Sequence, residues 1–247
     1  MKENTSSILH PIISGYMPLV DFLGKLIGPH CEVVLHDLTR PEHSVVRIAN
    51  GHISGRRIGA PLTDFSLRMV KNKAHANADF IHEYEGILKS GKRVRSSTFF
   101  IKDDSGELIG FLCFNMDMTC LKNLHEALDT ALETYFNYRP DTEQSLSASL
   151  PNTVPKHSAT PHGDSEENFS ESIEDLMNIS ISKALAPYDL PPERLSPQER
   201  GNVIEALYQK GFFQLRGAVE YVAASFRLSE ATIYRYLKGA QKKHQSE

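Results

Sequence analysis

The sequence predicts an α+β protein, with an N-terminal antiparallel sheet covered by helices and an all-α C-terminal domain. Three observations lead there. Short runs rich in β-branched and aromatic residues, CEVVLHDL, HSVVRIAN and RSSTFFIKDDSGELIGFLCFNMD, lie in the first half of the chain. After residue 169 the apolar residues recur instead at spacings of three and four. Between the two patterns, residues 139–168 are rich in Ser, Thr and Pro and hold only Leu146, Leu150 and Val154 as large aliphatics. Such a stretch buries too little apolar surface to offset its ordering entropy and is predicted to be a flexible linker. The predicted units are therefore 8–138, 139–168 and 169–247.

The elements follow in order. Ile12, Ile13, Tyr16, Leu19, Val20, Phe22, Leu23, Leu26 and Ile27 recur at helical spacing and stop at Gly28-Pro29, which predicts a first helix, kinked or restarted at Pro18. CEVVLHDL and HSVVRIAN then read as strands. PLTDFSLRMVKN and ADFIHEYEGILKSG look helical, and RSSTFFIKDDSGELIGFLCFNMD reads as two strands joined at the turn DDSG. Thr119 is placed to cap a closing helix with Leu121, Leu124, Leu128, Ala131 and Tyr135 on one face. That face suits either a short dimer seam or packing on the sheet. A helix, two strands, a helical middle, a hairpin and a helix form an order that suits a PAS-type sensor domain.

Beyond the linker, Ser170 precedes ESIEDLMNISISKAL, whose Ile173, Leu176, Met177, Ile181 and Leu185 share one side. Ser196-Pro197-Gln198-Glu199 combines a capping box with proline at the first helical position, and Gly211 is positioned to stop that helix.

Composition narrows the function classes. A chain of 247 residues that is 40% hydrophobic has enough apolar material for one or two packed cores. The opening MKENTSSILHP lacks a basic start with an apolar run behind it, and no stretch of about eighteen apolar residues follows anywhere, so a cytoplasmic protein without membrane contact is expected. Cys31, Cys113 and Cys120 show no CxxC spacing, and the eleven histidines form no HxxxH or HExxH pair. No metal and no cofactor are expected, and Cys113 and Cys120 are read as buried, inert thiols. His36-Asp37 and Ser96 to Thr98 are imaginable in hydrolysis, but no nucleophile elbow accompanies them, so the chain is not read as an enzyme.

The net charge of -4 divides unevenly. From Ser196 onward, eight Lys/Arg against five Asp/Glu give +3, which leaves -7 on residues 1–195. An acidic body with a basic tail is the asymmetry expected if the tail alone meets phosphates.

In that tail, AVEYVAASFRLSEATIYRYL (218–237) has the pattern of a helix-turn-helix, placed at 218–238. Val222 and Phe226 share a face, Ala223 is small where a second helix must cross, and Ser229 caps a new helix in which Ile233 and Leu237 point back. Ser229, Glu230, Ala231, Thr232, Tyr234, Arg235 and Lys238 are left as the candidate DNA-binding residues. Short side chains at the helix start permit entry into the major groove. Arg235 can reach guanine or phosphate, and Tyr234 or Lys238 the backbone. Arg227 stands where such turns usually carry glycine.

CEVVLHDL, NGHISGRRIGAPLTD, RSSTFFIKDDSGELIGFLCFNMD and FFQLRGAVEYVAASFRLSEATIYRYL, taken together, resemble the YheO-like PAS regulators, the DauR/YheO family. The resemblance covers both ends of the chain and skips the linker. It implies a PAS sensor joined to a C-terminal helix-turn-helix that binds double-stranded DNA and acts on bacterial transcription, with an amino-acid-related effector suggested by analogy alone. A homodimer on an inverted repeat is expected, because one short recognition helix buries too little surface for high specificity. The alternative is a PAS-based adaptor that binds another protein and no DNA.

In that context NGHISGRRIGAPLTD (50–64) leaves a strand at Asn50, turns through Gly51 and Gly55, and starts a helix near Thr63 or Asp64. It carries neither a Walker lysine nor GxGxxG. A pocket wall is the functional reading, with His36, Asp37, Asn50, His52, Ser54 and Arg56 as candidate ligand-binding residues. In the alternative reading the glycines serve a turn, Asp37 and Asn50 bond to local backbone, and the domain only dimerises.

Overall fold

The computed structural model describes residues 9–136, 167–170, 172–188 and 190–244. The first helix, α1 (Pro11–Ile27), starts on Pro11 with the His10 ring accepting from the Ile12 N–H, and it runs through Pro18 as one element. β1 (Cys31–Asp37) and β2 (Val45–Ala49) follow, then α2 (Asp64–Lys71), β3 (Phe80–Ile87), β4 (Arg93–Lys102), β5 (Leu108–Asp117) and α3 (Thr119–Phe136). The sheet order is β2-β1-β5-β4-β3-β6, where β6 is the two-residue strand Glu167–Asn168. All neighbours are antiparallel except β6, which pairs in parallel with β3.

The middle of the domain and the end of the linker differ from expectation. The segment ADFIHEYEGILKSG forms β3, not a helix. Its register slips between Ile81 and Tyr84, where Glu83 takes a φ of 61°. A bulge of this kind inserts a residue into the alternation, so Ile81, Tyr84 and Leu88 fall at the three- and four-residue spacing of a helix although the chain is extended. The linker assigned to 139–168 also ends too late. Residues 139–166 lie outside the described residues, but Glu167 and Asn168 are sheet, and Glu167 is buried.

The hairpin turn forms as its residues require. Asp103 Oδ1 accepts from the Ser105 and Glu107 N–H groups, and Gly106 supplies a φ of 86°. α3 begins at Thr119 itself, whose N–H is taken by the Asp117 carboxylate, so Thr119 is not the cap. The apolar stripe of α3 does not pack on the sheet: Leu121, Leu124, Leu128 and Tyr135 are all exposed.

The two faces of the sheet are covered differently. α1 lies on one, burying Ile13 and Val20 against Val33, Leu35 and Leu112. Gly110 permits this approach, since a Cβ there would strike Ile13 and the His36 carbonyl. The other face carries Val34, Phe100 and Phe111, which belong to one hydrophobic cluster with Leu62 and Leu67 and with the C-terminal helices.

Those helices are α4 (Ile173–Leu185), α5 (Pro197–Gln209), α6 (Ala218–Phe226) and α7 (Glu230–His244). α4 is capped by Ser172, whose side chain accepts from the Asp175 N–H. At α5 the capping box forms, with Ser196 N–H to Glu199 Oε2 at 2.7 Å and Glu199 N–H to Ser196 Oγ at 3.3 Å. Gly211 then ends the helical run at a φ of 76° and lies so close to the Leu67 carbonyl that a Cβ there would be 2.9 Å from it. The two halves are thus in contact, reinforced by Lys183 to Asp64 (2.6 Å), Lys89 to Asp175 (2.8 Å) and the Arg216 N–H to Glu42 (2.9 Å). No helix among the described residues is long and apolar enough to cross a membrane.

Candidate functional site

The C-terminal motif folds around α6 and α7. Val222, Phe226 and Ile233 are fully buried, and Ala223 and Leu237 are nearly so. The turn between the helices takes a left-handed residue at Arg227 (φ 51°), whose side chain reaches Glu193 at 3.3 Å. The Leu228 N–H returns to the Ala223 carbonyl, which closes α6 as a glycine would. Ser229 accepts from the Thr232 N–H at 3.3 Å, and the two hydroxyls lie 3.0 Å apart. Ser229 is therefore engaged as a cap, with Thr232 half-buried beside it.

Helical geometry sets what remains. With Ile233 and Leu237 inward, Ala231, Arg235 and Lys238 project opposite to the core, and Glu230 and Tyr234 are exposed on the flank. Tyr236 lies against Gly201 of α5, and the Arg235 guanidinium sits 5.9 Å from the Tyr236 ring centroid. On the other flank Tyr234 and Lys238 border a cleft of about 850 Å³ with Tyr208, Phe213 and Lys71 of α2. The Lys71 ammonium lies 3.2 Å from the Tyr208 ring centroid and donates to the Tyr208 carbonyl, and partial burial lowers its pKa to about 8.

A second site lies on the sheet face that looks toward α2. Register makes Glu32, Asn115 and Ser96 direct neighbours across β1, β5 and β4, and sets Thr98 beside Cys113. Glu32 accepts from Ser54 Oγ (2.5 Å) and from Asn115 Nδ2 (2.9 Å), and Asn115 accepts from Ser96 Oγ (2.9 Å). Tyr84 pairs with Thr98 at 2.8 Å. Thr63, the cap of α2, donates to Glu167 Oε1 at 2.6 Å. Arg56 is 3% exposed and donates through one terminal nitrogen to the Pro61 carbonyl. Among the described residues its Nε has no hydrogen-bond partner, and Glu167 Oε2 lacks a well-formed one.

Burial dominates the electrostatics here. It raises the Glu167 carboxyl to about 7 against the opposing pull of Thr63 and the Arg56 charge, and it raises Cys113 to about 12. Cys113 is buried, as expected, while Cys120 is exposed, contrary to that expectation. Burial, followed by the Arg56 charge, also holds His36 well below its ordinary value.

Of the six candidate ligand residues, the structure brings Ser54 and Arg56 into this cluster. His36 borders it and is bonded through Nδ1 to Ser44 Oγ at 2.9 Å. The other three are elsewhere. Asp37 accepts from the Thr39 N–H and hydroxyl in a local turn. Asn50, left-handed at φ 56°, donates to the carbonyls of Gly24, Gly28 and Cys31 and so fastens the end of α1 to β1. His52 is exposed. Bonding to local backbone is therefore seen for Asp37, whereas Asn50 reaches carbonyls on α1 and β1 that are distant in sequence. Glu32 and Asn115 escaped notice although they are polar residues inside strands whose neighbours are apolar, a signal in itself, and Ser96 and Thr98 were considered only for hydrolysis. Glu167 offered none.

Comparison with known proteins gives two domain matches: a YheO-like PAS domain over residues 7–133 and a helix-turn-helix domain over residues 176–238. The chain is 31% identical over 227 residues to the uncharacterized protein YheO of Escherichia coli K12, covering 92% of this chain and 84% of that one. An uncharacterized protein of Haemophilus influenzae is 29% identical, with 92% and 90% covered. The transcriptional regulator DauR of Pseudomonas aeruginosa is 25% identical, with 92% and 94% covered.

Proposed function

Because this chain belongs to the YheO-like PAS family and carries a helix-turn-helix domain, we propose that it is a transcriptional regulator whose α7 reads operator DNA under the control of a small molecule held in the N-terminal domain. The observation that supports DNA reading is the outward row of Ala231, Arg235 and Lys238 on a helix fixed to α5 and α6 by Ile233 and Leu237. A short residue followed by two cations along one exposed face is what close entry into a major groove requires. Sensing is supported by the buried cluster around Arg56, where hydrogen-bonding capacity is left over.

A homodimer fits this reading. The exposed Leu121, Leu124, Leu128 and Tyr135 of α3, with Phe22 and Leu26 of α1, leave apolar area that a second copy would cover. Binding sites are found by genomic footprinting, and the full chain is then titrated against the footprinted duplex and a scrambled one at several salt concentrations. The footprinted duplex is expected to bind at least about a thousandfold more tightly. Equal affinity for both duplexes would overturn the reading.

A further inference from the structure

We propose that the interior site of the N-terminal domain takes a small carboxylic acid, and that Glu167 holds that place with its own carboxylate when the acid is absent. This rests on the sensing reading above and assigns its ligand class.

Glu167 does not belong to the domain's main chain run. It enters from the far side of residues 139–166 as a two-residue parallel strand on the edge of β3, through Gly86↔Glu167 and Ile87↔Asn168. Its side chain is nevertheless among the most buried charged groups, beside a hydroxyl (Thr63), a guanidinium (Arg56) and a phenol (Tyr84). Those three groups are a carboxylate-binding set.

The tethered carboxylate fits the set incompletely. Held by the ladder, Glu167 makes one well-formed bond, to Thr63; among the described residues its Oε2 meets no more than the weaker pull of the Tyr84 hydroxyl, and Arg56 Nε has no hydrogen-bond partner. A free carboxylate has no backbone register to obey and can turn to engage Arg56 as well as Thr63. An isolated buried donor and acceptor each cost free energy that such a ligand recovers.

Displacing Glu167 also carries a signal. The next residues are seated on the same domain: Asn168 N–H donates to Asp64 at 3.0 Å, and Phe169 fills the space that a Cβ at Gly86 would occupy. Asp64 in turn holds Lys183 of α4. The strap from Glu167 to Phe169 thus leads directly into the DNA-binding half, and an acid in its place loosens that connection.

The test uses the full chain and acetate, which replaces the atoms lost in Glu167→Ala. Thermal midpoints are measured in sodium acetate against sodium chloride at equal ionic strength. Glu167→Ala is expected to show a saturable gain in acetate with an apparent affinity at least about tenfold tighter than wild type, and the gain is expected to vanish when Arg56→Gln is added. No acetate-specific gain in Glu167→Ala, or a gain that survives Arg56→Gln, would overturn the proposal. Should these variants not fold, the wild type decides: about 100 mM propionate is expected to speed exchange of the Phe169 amide, which donates to Ile87, and unchanged exchange sinks the idea. Operator affinity measured on the same samples separates the two readings, because DNA recognition can stand while acetate has no effect.

Discussion

The α6–α7 unit and the inner face of the sheet are both buried, but they are built on opposite terms. Around Ile233, Val222 and Phe226 the interior is hydrocarbon, and the polar groups at the turn are met by Ser229, Ala223 and Glu193. Around Arg56 the interior holds a guanidinium, two carboxylates and several hydroxyls, and some of their hydrogen-bonding atoms have no well-formed partner among the described residues. A recognition helix must hold one geometry to present side chains to a groove. A sensor must keep capacity in reserve, and reserve capacity in a buried site takes the form of incompletely satisfied polar groups.

The comparison is broken most forcefully in the hydrocarbon region. Ile233→Ala is expected to destabilise the protein by roughly 2–5 kcal/mol in denaturant unfolding, since the residue is fully buried between two helices. A loss below about 0.5 kcal/mol, the range of surface substitutions, would show that the unit is not held by that contact.

The polar region responds instead to pH. Glu167 titrates near 7 in the folded protein and near the ordinary value of 4.5 when unfolded. Between those values the folded state holds a proton that the unfolded state has released, so the stability that Glu167 contributes is fullest below about 4.5, falls as pH rises to about 7, and then levels. The loss amounts to a few kcal/mol at this order of magnitude, and it disappears in Glu167→Gln. Unfolding free energies measured across that window check it, and an identical slope in wild type and variant removes Glu167 from the account.

Smaller effects sharpen the recognition side. Arg235→Ala is expected to cost about 1–3 kcal/mol on the operator and to relax preference at one base pair. If specific and scrambled duplexes weaken alike, and the salt slope falls by about one per subunit, Arg235 touches phosphate and not a base. Arg227→Gly is the mildest change. It relieves a left-handed side-chain conformation at the expense of an exposed ion pair with Glu193, and a gain of up to about 1 kcal/mol is expected in the same unfolding experiment.

The recognition unit was readable because its determinants are local. Ser196-Pro197-Gln198-Glu199, Gly211, Ser229 and the Val222–Phe226–Ile233–Leu237 spacing each act within one or two turns of chain. Most strands were readable for the same reason, and β3 was missed because a bulge disguised its period. The interior site was half readable. Ser54 and Arg56 stood out in a glycine-rich turn, but that turn sits beside Glu32 and Asn115 through pairing between distant strands, and Glu167 reaches Thr63 across 104 residues. No local signal encodes a contact of that range.

The hydrophobic cluster that joins Val34, Phe111 and Leu67 to Phe212, Leu207 and Val222 has a consequence for dissection of the molecule. A cut near residue 170 yields two fragments, each with part of a shared core laid open, and each loses the partner of a cross-contact such as Gly211 on the Leu67 carbonyl. Expressed alone, either fragment would carry a sticky apolar scar and lean toward aggregation. Its DNA affinity or ligand affinity would then report the wound of the cut as much as the site of interest. Complementation is the better approach: the two fragments, co-expressed, should find each other without a covalent link.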